Sequence, residues 1–300
     1  MMNLEDEVRD GYTVPAAMKR VWAVQLTMVR KVLEVCKRHN LKIWADGGTL
    51  LGTIRHRGYI PWDDDIDLFM PREDYDRLVA LAPREFAKPF FFQCASTERL
   101  YPRGHAQVRY EGTAAVTRGT VDTPFDQSIF IDIFVYDALP KDKTAFIWRM
   151  MRAERLRSLM LHRVYGRMSL RNPAETLKVI LSRVYFLFVP FRKAFARFDE
   201  QYRATGLELS DDFSCPAFNA ALVFKIIRRR EWLRETIYMP FEDIMMPVPI
   251  GYDGVLRNQY GDYMTPVKTP TLHGSVIFDT ERPYTEVIKD IRSGKISFGG

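Results

Sequence analysis

Between Ala16 and His39 the apolar residues Met18, Val21, Trp22, Val29, Val32, Leu33 and Cys36 recur at a spacing near 3.6, which predicts an amphipathic helix closing at Asn40. The run LKIWAD then reads as a short strand ending at Asp46, followed by Gly47-Gly48 and a helical start at Thr49-Leu50-Leu51. In DIDLFM polar and apolar positions alternate as in a half-buried strand, so Asp65 and Asp67 share one face and Ile66 and Leu68 the other. Pro71 suits the first position of the next helix, REDYDRLVALA, which Pro83 should stop. Four β-like runs follow: PFFFQCAS, HAQVRYEG, TAAVTRG and SIFIDIFVYDAL. In the last, Asp132 is the one charge among Ile129, Phe130, Ile131, Ile133 and Phe134, and so isolated a carboxylate needs a partner.

Past Pro140 the pattern turns to long helices, from about Asp142 to Gly166 and from about Pro173 to Arg203. Between Arg149 and Arg171 seven arginines stand against one acid, Glu154. The closing region predicts a β-hairpin around Phe241 and a short helix from about Tyr252 to Tyr260. There is no internal repeat and no low-complexity linker. The expected class is α+β: a small mixed sheet carrying Asp65, Asp67 and Asp132, flanked by helices, with a basic, mostly helical extension. The expected division is a catalytic core over 1–140, a basic helical region over 141–235, and a C-terminal region over 236–300 packing back on the core.

Composition narrows this little. A chain of 300 residues that is 47% hydrophobic has material for a real core, and its net charge of +6 favours anionic partners. Cys36, Cys94 and Cys215 form no C-x-x-C and read as buried, reduced thiols of a cytosolic protein. The acidic N-terminus MMNLEDEVRDGY lacks the order of a secretory signal, so a cytoplasmic location is expected. TLKVILSRVYFLFVPF, the most apolar stretch, is interrupted by Lys178 and Arg183 and closed by Pro190. It is too short and too charged to span a bilayer, yet suited to lie on one.

The carboxylates carry the chemistry. Two aspartates on one strand face, with a third on a later strand, form an arrangement that holds one or two Mg²⁺ ions, since hard cations take oxygen ligands from a few carboxylates and from substrate phosphates. Such ions neutralise charge on a reacting phosphate. A Gly-Gly turn into a helix lets backbone N–H groups approach a phosphate, which assigns Gly47, Gly48 and Thr49 to that role. Asp63 and Asp64 are read as turn or supporting residues.

The order strand, Gly-Gly, D-I-D and then a third acid in FIDIF resembles the nucleotidyltransferase superfamily of the DNA polymerase β type. Within it, DGGTLLGTIRHRGYIPWDDDIDLFMPREDY is similar to the signature block of the LicD family, which includes phosphocholine transferases and fukutin-related proteins. PVPIGYDGVLRNQYGDYM, Pro247 to Met264, resembles that family's C-terminal motif. The resemblance implies a nucleotidyltransferase-like fold and a Mg²⁺-dependent transfer of phosphocholine from CDP-choline to a sugar hydroxyl of a cell-surface glycan or glycolipid precursor. By that mapping Asp65 and Asp67 hold the metals, and Asp132 shares one and draws the acceptor's proton.

Arg55 and His56, with Arg57, follow the phosphate-facing helix start and are candidates for diphosphate contacts. Trp62, Tyr260 and Tyr263 lie in the two family blocks and are candidates for the choline cation, which an aromatic face attracts. His273, alone in TLHGS, is read as structural. The arginine-rich helices leave three readings: a solvated face, an inner membrane surface, or nucleic acid, the last unexpected because no nucleic-acid module is present. Rival functions are transfer of another CDP-linked phospho-alcohol, true nucleotidyl transfer, and a non-catalytic basic membrane-binding module. A glycosyltransferase D-x-D site accounts for neither Gly47-Gly48 nor Asp132.

Overall fold

A hairpin that the apolar pattern does not announce, β1 (Glu7–Arg9) and β2 (Tyr12–Val14), precedes helix α1 (Ala16–Arg38). The computed structural model describes residues 2–215, 222–266 and 276–298, and His273 lies outside the described residues. Helix α1 buries Val21, Trp22, Leu26, Val29, Val32 and Cys36, and Lys37 and Arg38 sit in its last turn, where positive charge suits the helix C-terminus. Asn40 follows with φ +50°, the left-handed geometry that ends the helix as expected.

The strand expected from LKIWAD shrinks to β3 (Trp44–Ala45), and α2 (Gly47–Arg55) begins at the glycines themselves, with Asp46 at its N-cap. Strand β4 (Asp67–Pro71) starts two residues later than the alternation predicts, leaving Asp65 in the preceding coil. Side chains of α1 replace strand pairing there: Trp22 Nε1 donates to the Asp63 carbonyl (3.1 Å) and Gln25 Nε2 to that of Asp64 (2.8 Å). In α3 (Arg72–Glu85), Pro71 is the N-cap rather than the first helical residue. Pro83 falls inside the last turn and does not stop the helix, which runs two residues further.

Next come β5 (Phe90–Gln93), β6 (Ala106–Tyr110), β7 (Ala114–Thr117) and the twelve-residue β8 (Ile129–Pro140). Asp142 caps α4 (Lys143–Tyr165) by accepting from the Ala145 N–H. The pattern from Pro173 to Arg203 is two helices, α5 (Pro173–Phe188) and α6 (Phe191–Arg203). The break is at Pro190, which forces the preceding Val189 out of helical geometry (φ −117°, ψ 113°). The chain continues through β9 (Leu209–Ser214), β10 (Arg228–Arg229), the hairpin β11 (Thr236–Phe241) and β12 (Ile244–Pro249), α7 (Tyr252–Tyr260), β13 (Val276–Asp279) and α8 (Tyr284–Arg292).

The molecule is a mixed α+β structure whose main sheet runs β10-β9-β8-β4-β3, with β6 also on β8 and β5 on β6. Only β4 and β8 pair in parallel within it; the other pairs are antiparallel. Thus β9 and β10, from a stretch read as helical, complete the sheet that carries the acids. The β11–β12 hairpin and α7 contribute Phe241, Met246, Val248, Val255 and Leu256 to the same buried cluster as α1 and β4. Trp22 and Tyr59 stack at its centre, ring centroids 4.3 Å apart. Truncating a buried Trp of this kind costs about 3–5 kcal/mol. A second cluster joins α4 to α6 through Phe146, Met150, Met160, Phe198 and Tyr202. Among the described residues, no helix is long and apolar enough to cross a membrane.

Candidate active site

Asp67 and Asp132 are register partners in the parallel β4–β8 pair, and the rank continues across the sheet through Gln107 on β6 to Gln93 on β5. Neighbours in one rank project from the same face, so the sheet presents a row of polar groups in an apolar surround. Two backbone bonds fix the acids: the Asp132 N–H donates to the Ile66 carbonyl (2.8 Å), and the Asp46 N–H to the Asp67 carbonyl (2.9 Å). The Asp67 N–H donates to Thr49 Oγ1 (2.8 Å), which ties α2 to β4. Thr49 is therefore placed beside Asp67, its oxygen already accepting.

The two paired acids sit in opposite environments. Burial pushes the Asp132 carboxyl up, but His105, with Nε2 3.0 Å from Oδ1, Arg103, and a 2.8 Å hydrogen bond from Gln107 Nε2 outweigh it and hold the group below the usual range. The Gln107 amide is oriented in turn by buried Arg109, which donates to Gln107 Oε1 (2.6 Å), Gln93 Oε1 (2.8 Å) and the Ser128 carbonyl (2.5 Å). Asp67 is driven well above the usual range, first by burial and then by Asp65, Asp132, Asp46 and Asp63.

Asp63, Asp64 and Asp65 form a tight group, each offering a carboxylate oxygen within 4.8 Å of the others. The sequence left Asp63 and Asp64 as turn or supporting residues; the fold gathers them with Asp65, in the segment leading into Asp67. The glycines explain how so many carboxylates reach α2. A Cβ on Gly48 would come within 2.7 Å of Asp63 Oδ2, and one on Gly47 within 2.9 Å of Asp67 Oδ2. Gly47 also has φ +48°, a left-handed geometry that glycine adopts without steric cost. The pair thus lies against the acids themselves, where the sequence had it facing a phosphate across from them. An all-oxygen donor set crowded in this way fits a hard divalent cation such as Mg²⁺.

Asp46, at the N-cap of α2, is a buried hub. Its Oδ1 accepts from Arg228 Nη2 (2.6 Å) and its Oδ2 from the Tyr136 hydroxyl (3.0 Å). Arg228 also donates to Gln259 Oε1 (2.6 Å), joining α7 to the site. Tyr260 is 41% exposed as a residue, yet its hydroxyl tip lies 3.8 Å from where a Gly47 Cβ would stand. Burial and the nearby Asp46 and Asp67 carboxylates push that hydroxyl up. The other aromatic candidates are held differently. Tyr263 donates to Asp253 Oδ1 (2.8 Å), and half-buried Trp62 meets Tyr12 edge to face at 6.1 Å. Arg55 donates to the Tyr263 carbonyl (2.9 Å), and His56 Nε2 stands 3.1 Å from Asp10 Oδ2, so these two bind the C-terminal loop and the N-terminal hairpin.

Sequence reasoning missed Asp46, His105, Gln107, Arg109 and Arg228. A signal for two of them was present: Gln107 and Arg109 are the i, i+2 polar positions of HAQVRYEG, the same alternation that singled out Asp65 and Asp67. Arg228, one of three successive arginines, carries no such mark.

Residues 40–155, which span α2, β4 and β8, match the nucleotidyltransferase domain described as LicD/FKTN/FKRP. The chain is 30% identical over 237 residues to the lipopolysaccharide cholinephosphotransferase LicD of Haemophilus influenzae, covering 77% of this chain and 84% of that one. It is 39% identical over 83 residues to an uncharacterized protein of Rickettsia prowazekii, 28% of this chain and 30% of that one. Over 45 residues it is 44% identical to the human ribitol 5-phosphate transferase FKRP, 15% of this chain and 9% of that one.

Proposed function

The chain belongs to the LicD family, and from that premise we propose that it transfers phosphocholine from CDP-choline to a sugar hydroxyl of a cell-surface glycan or its lipid-linked precursor. The coarser statement, a phospho-alcohol transferase, is what its relatives share. The observation that carries the reading is the carboxylate group of Asp63, Asp64 and Asp65, with Asp63 and Asp67 against the two glycines that open α2 and Asp132 the register partner of Asp67 on β8. Asp65, Asp67 and Asp132, with Asp63 and Asp64 alongside, would hold Mg²⁺. When bound, the ion supplies neutralising charge to the donor's diphosphate.

The chain's own groups then have distinct work. Asp132 accepts the proton of the acceptor hydroxyl as its oxygen bonds to the choline-bearing phosphorus, and the bond to CMP breaks with its electron pair leaving on CMP. Gln107, oriented by Arg109, and His105 fix the Asp132 carboxylate. Tyr260, with its face partly open to solvent, is the aromatic best placed for the choline cation. A second donor alcohol, ribitol 5-phosphate, is favoured by the match to FKRP.

Incubation with CDP-choline, CDP-ribitol and Mg²⁺, following CMP release, tests the reading. CMP from one donor is expected. Pyrophosphate from a nucleoside triphosphate, without CMP from either donor, would instead establish nucleotidyl transfer.

A further inference from the structure

Helix α5 is amphipathic the wrong way round for a water-facing helix. Its apolar residues Leu177, Ile180, Leu181, Val184, Leu187 and Phe188 recur at helical spacing along one side, and all six are exposed, Leu187 by 78% and Phe188 by 81%. The helix docks on α4 through a narrow opposite side, where Ser182 Oγ donates to the Leu159 carbonyl (2.7 Å) and Val179 packs against Gly166. A helix of a water-soluble domain turns its apolar stripe inward. The loop before α5 extends the outward surface with Met168, 55% exposed, and fully exposed Leu170.

The rim of this surface is cationic. Arg171 in the preceding loop and Arg183 on α5 itself carry no ion pair among the described residues. At the C-terminal end of the stripe a 410 Å³ cleft is lined by Arg99, Arg163 and Arg192 over Phe186, Pro190 and Phe191. Arg192 is anchored there by a 3.0 Å bond to the Ser96 carbonyl. No carboxylate lines that cleft.

We propose that α5 lies in the interface of an anionic lipid bilayer, its Leu and Phe side chains in the acyl boundary, with the Arg99–Arg163–Arg192 cleft taking a phospholipid headgroup phosphate. The charge selects this occupant. A second copy of the chain meeting the stripe about a two-fold axis would set the same arginines against each other, a repulsion that anionic lipid replaces with attraction. Length fits too: sixteen residues span about 24 Å, short of the roughly 30 Å hydrocarbon core, so the helix lies along the surface rather than crossing it.

Co-sedimentation of the full chain with vesicles decides the matter and reads no turnover, so its failure leaves the transfer proposal standing. The wild type should pellet with vesicles of equal phosphatidylglycerol and phosphatidylcholine and stay in solution with phosphatidylcholine alone. The double change Leu187→Ser and Phe188→Ser should lower partitioning about tenfold or more with an unchanged thermal melt, since both side chains are exposed. Arg163→Glu with Arg192→Glu should abolish the preference for anionic vesicles. Equal wild-type binding to both vesicles, or unaltered binding of the Leu187/Phe188 variant, overturns the proposal. So does a wild-type dimer that this variant splits while neither binds vesicles, which would make the face an interface between copies.

Discussion

Arg228, with none of its side chain exposed, donates to the carboxylate of Asp46, a residue 182 positions away that caps the glycine-bearing helix of the site. The pair holds the N-cap of α2, whose backbone N–H donates to the carbonyl of Asp67. Removing one partner of a buried pair strands the other's charge, a loss of about 3–5 kcal/mol. Arg228→Met is therefore expected to lose roughly that much in urea unfolding, and the double variant with Asp46→Asn to recover part of it. A cost under about 1 kcal/mol for the single change would show that Asp46 does not depend on Arg228.

Gly48→Ala tests whether the glycines make room for carboxylates. Alanine is the better helix former by about 1 kcal/mol, so stability should hold or rise. The new methyl nevertheless claims the space of Asp63 Oδ2, which must shift. Calorimetry should show Mg²⁺ binding weakened about 10-fold or more. Gly47→Ala should behave worse, because it combines the clash with Asp67 and a left-handed φ that costs about 1–2 kcal/mol. Unchanged Mg²⁺ affinity in Gly48→Ala would remove the glycines from the site.

Why the sequence revealed Asp67 and Asp132 but not their supports follows from how each is held. A carboxylate flanked by Ile131 and Ile133 on one strand is visible as an exception to a local pattern. The same periodicity disclosed α1, the Phe241 hairpin and α7, because each is written in consecutive residues. Arg228 and Asp46 meet only through the tertiary fold, and nothing near either names the other. The grouping of Asp63 to Asp65 was not legible for a related reason: Trp22 and Gln25 of α1, some forty residues earlier, hold that segment out of the strand. The outward stripe of α5 was legible as an apolar run, but only packing shows which side it turns to water.

Asp67 and Asp132 should respond oppositely to neutralisation despite their pairing. Asp67→Asn removes a charge from among four other carboxylates, so in EDTA the variant should melt higher than the wild type. Asp132→Asn leaves an amide oxygen to accept from Gln107 but gives up the negative charge that His105 and Arg103 stabilise, and should melt lower by an amount equivalent to about 1–3 kcal/mol. Both should lose CMP release by about 10²-fold or more. Thermal melts moving in the same direction would contradict the electrostatic asymmetry.

Cys36 supplies a pH test remote from the acidic group. Burial, with a contribution from Asp74, pushes its thiol from an ordinary 9.0 to about 12. The folded state thus holds this proton more tightly than the unfolded chain does. Its contribution is fully present below pH 9 and is lost as pH rises from 9 toward 12, at up to about 1.4 kcal/mol per pH unit. Cys36→Ala removes the titration at the cost of one buried atom, so its stability should fall less steeply than the wild type's over that window. At pH 8 the native thiol should also resist iodoacetamide, with alkylation appearing only in denaturant. Rapid native labelling of Cys36, read by mass spectrometry of its peptide, would show that the thiol is not enclosed by α1 and its neighbours.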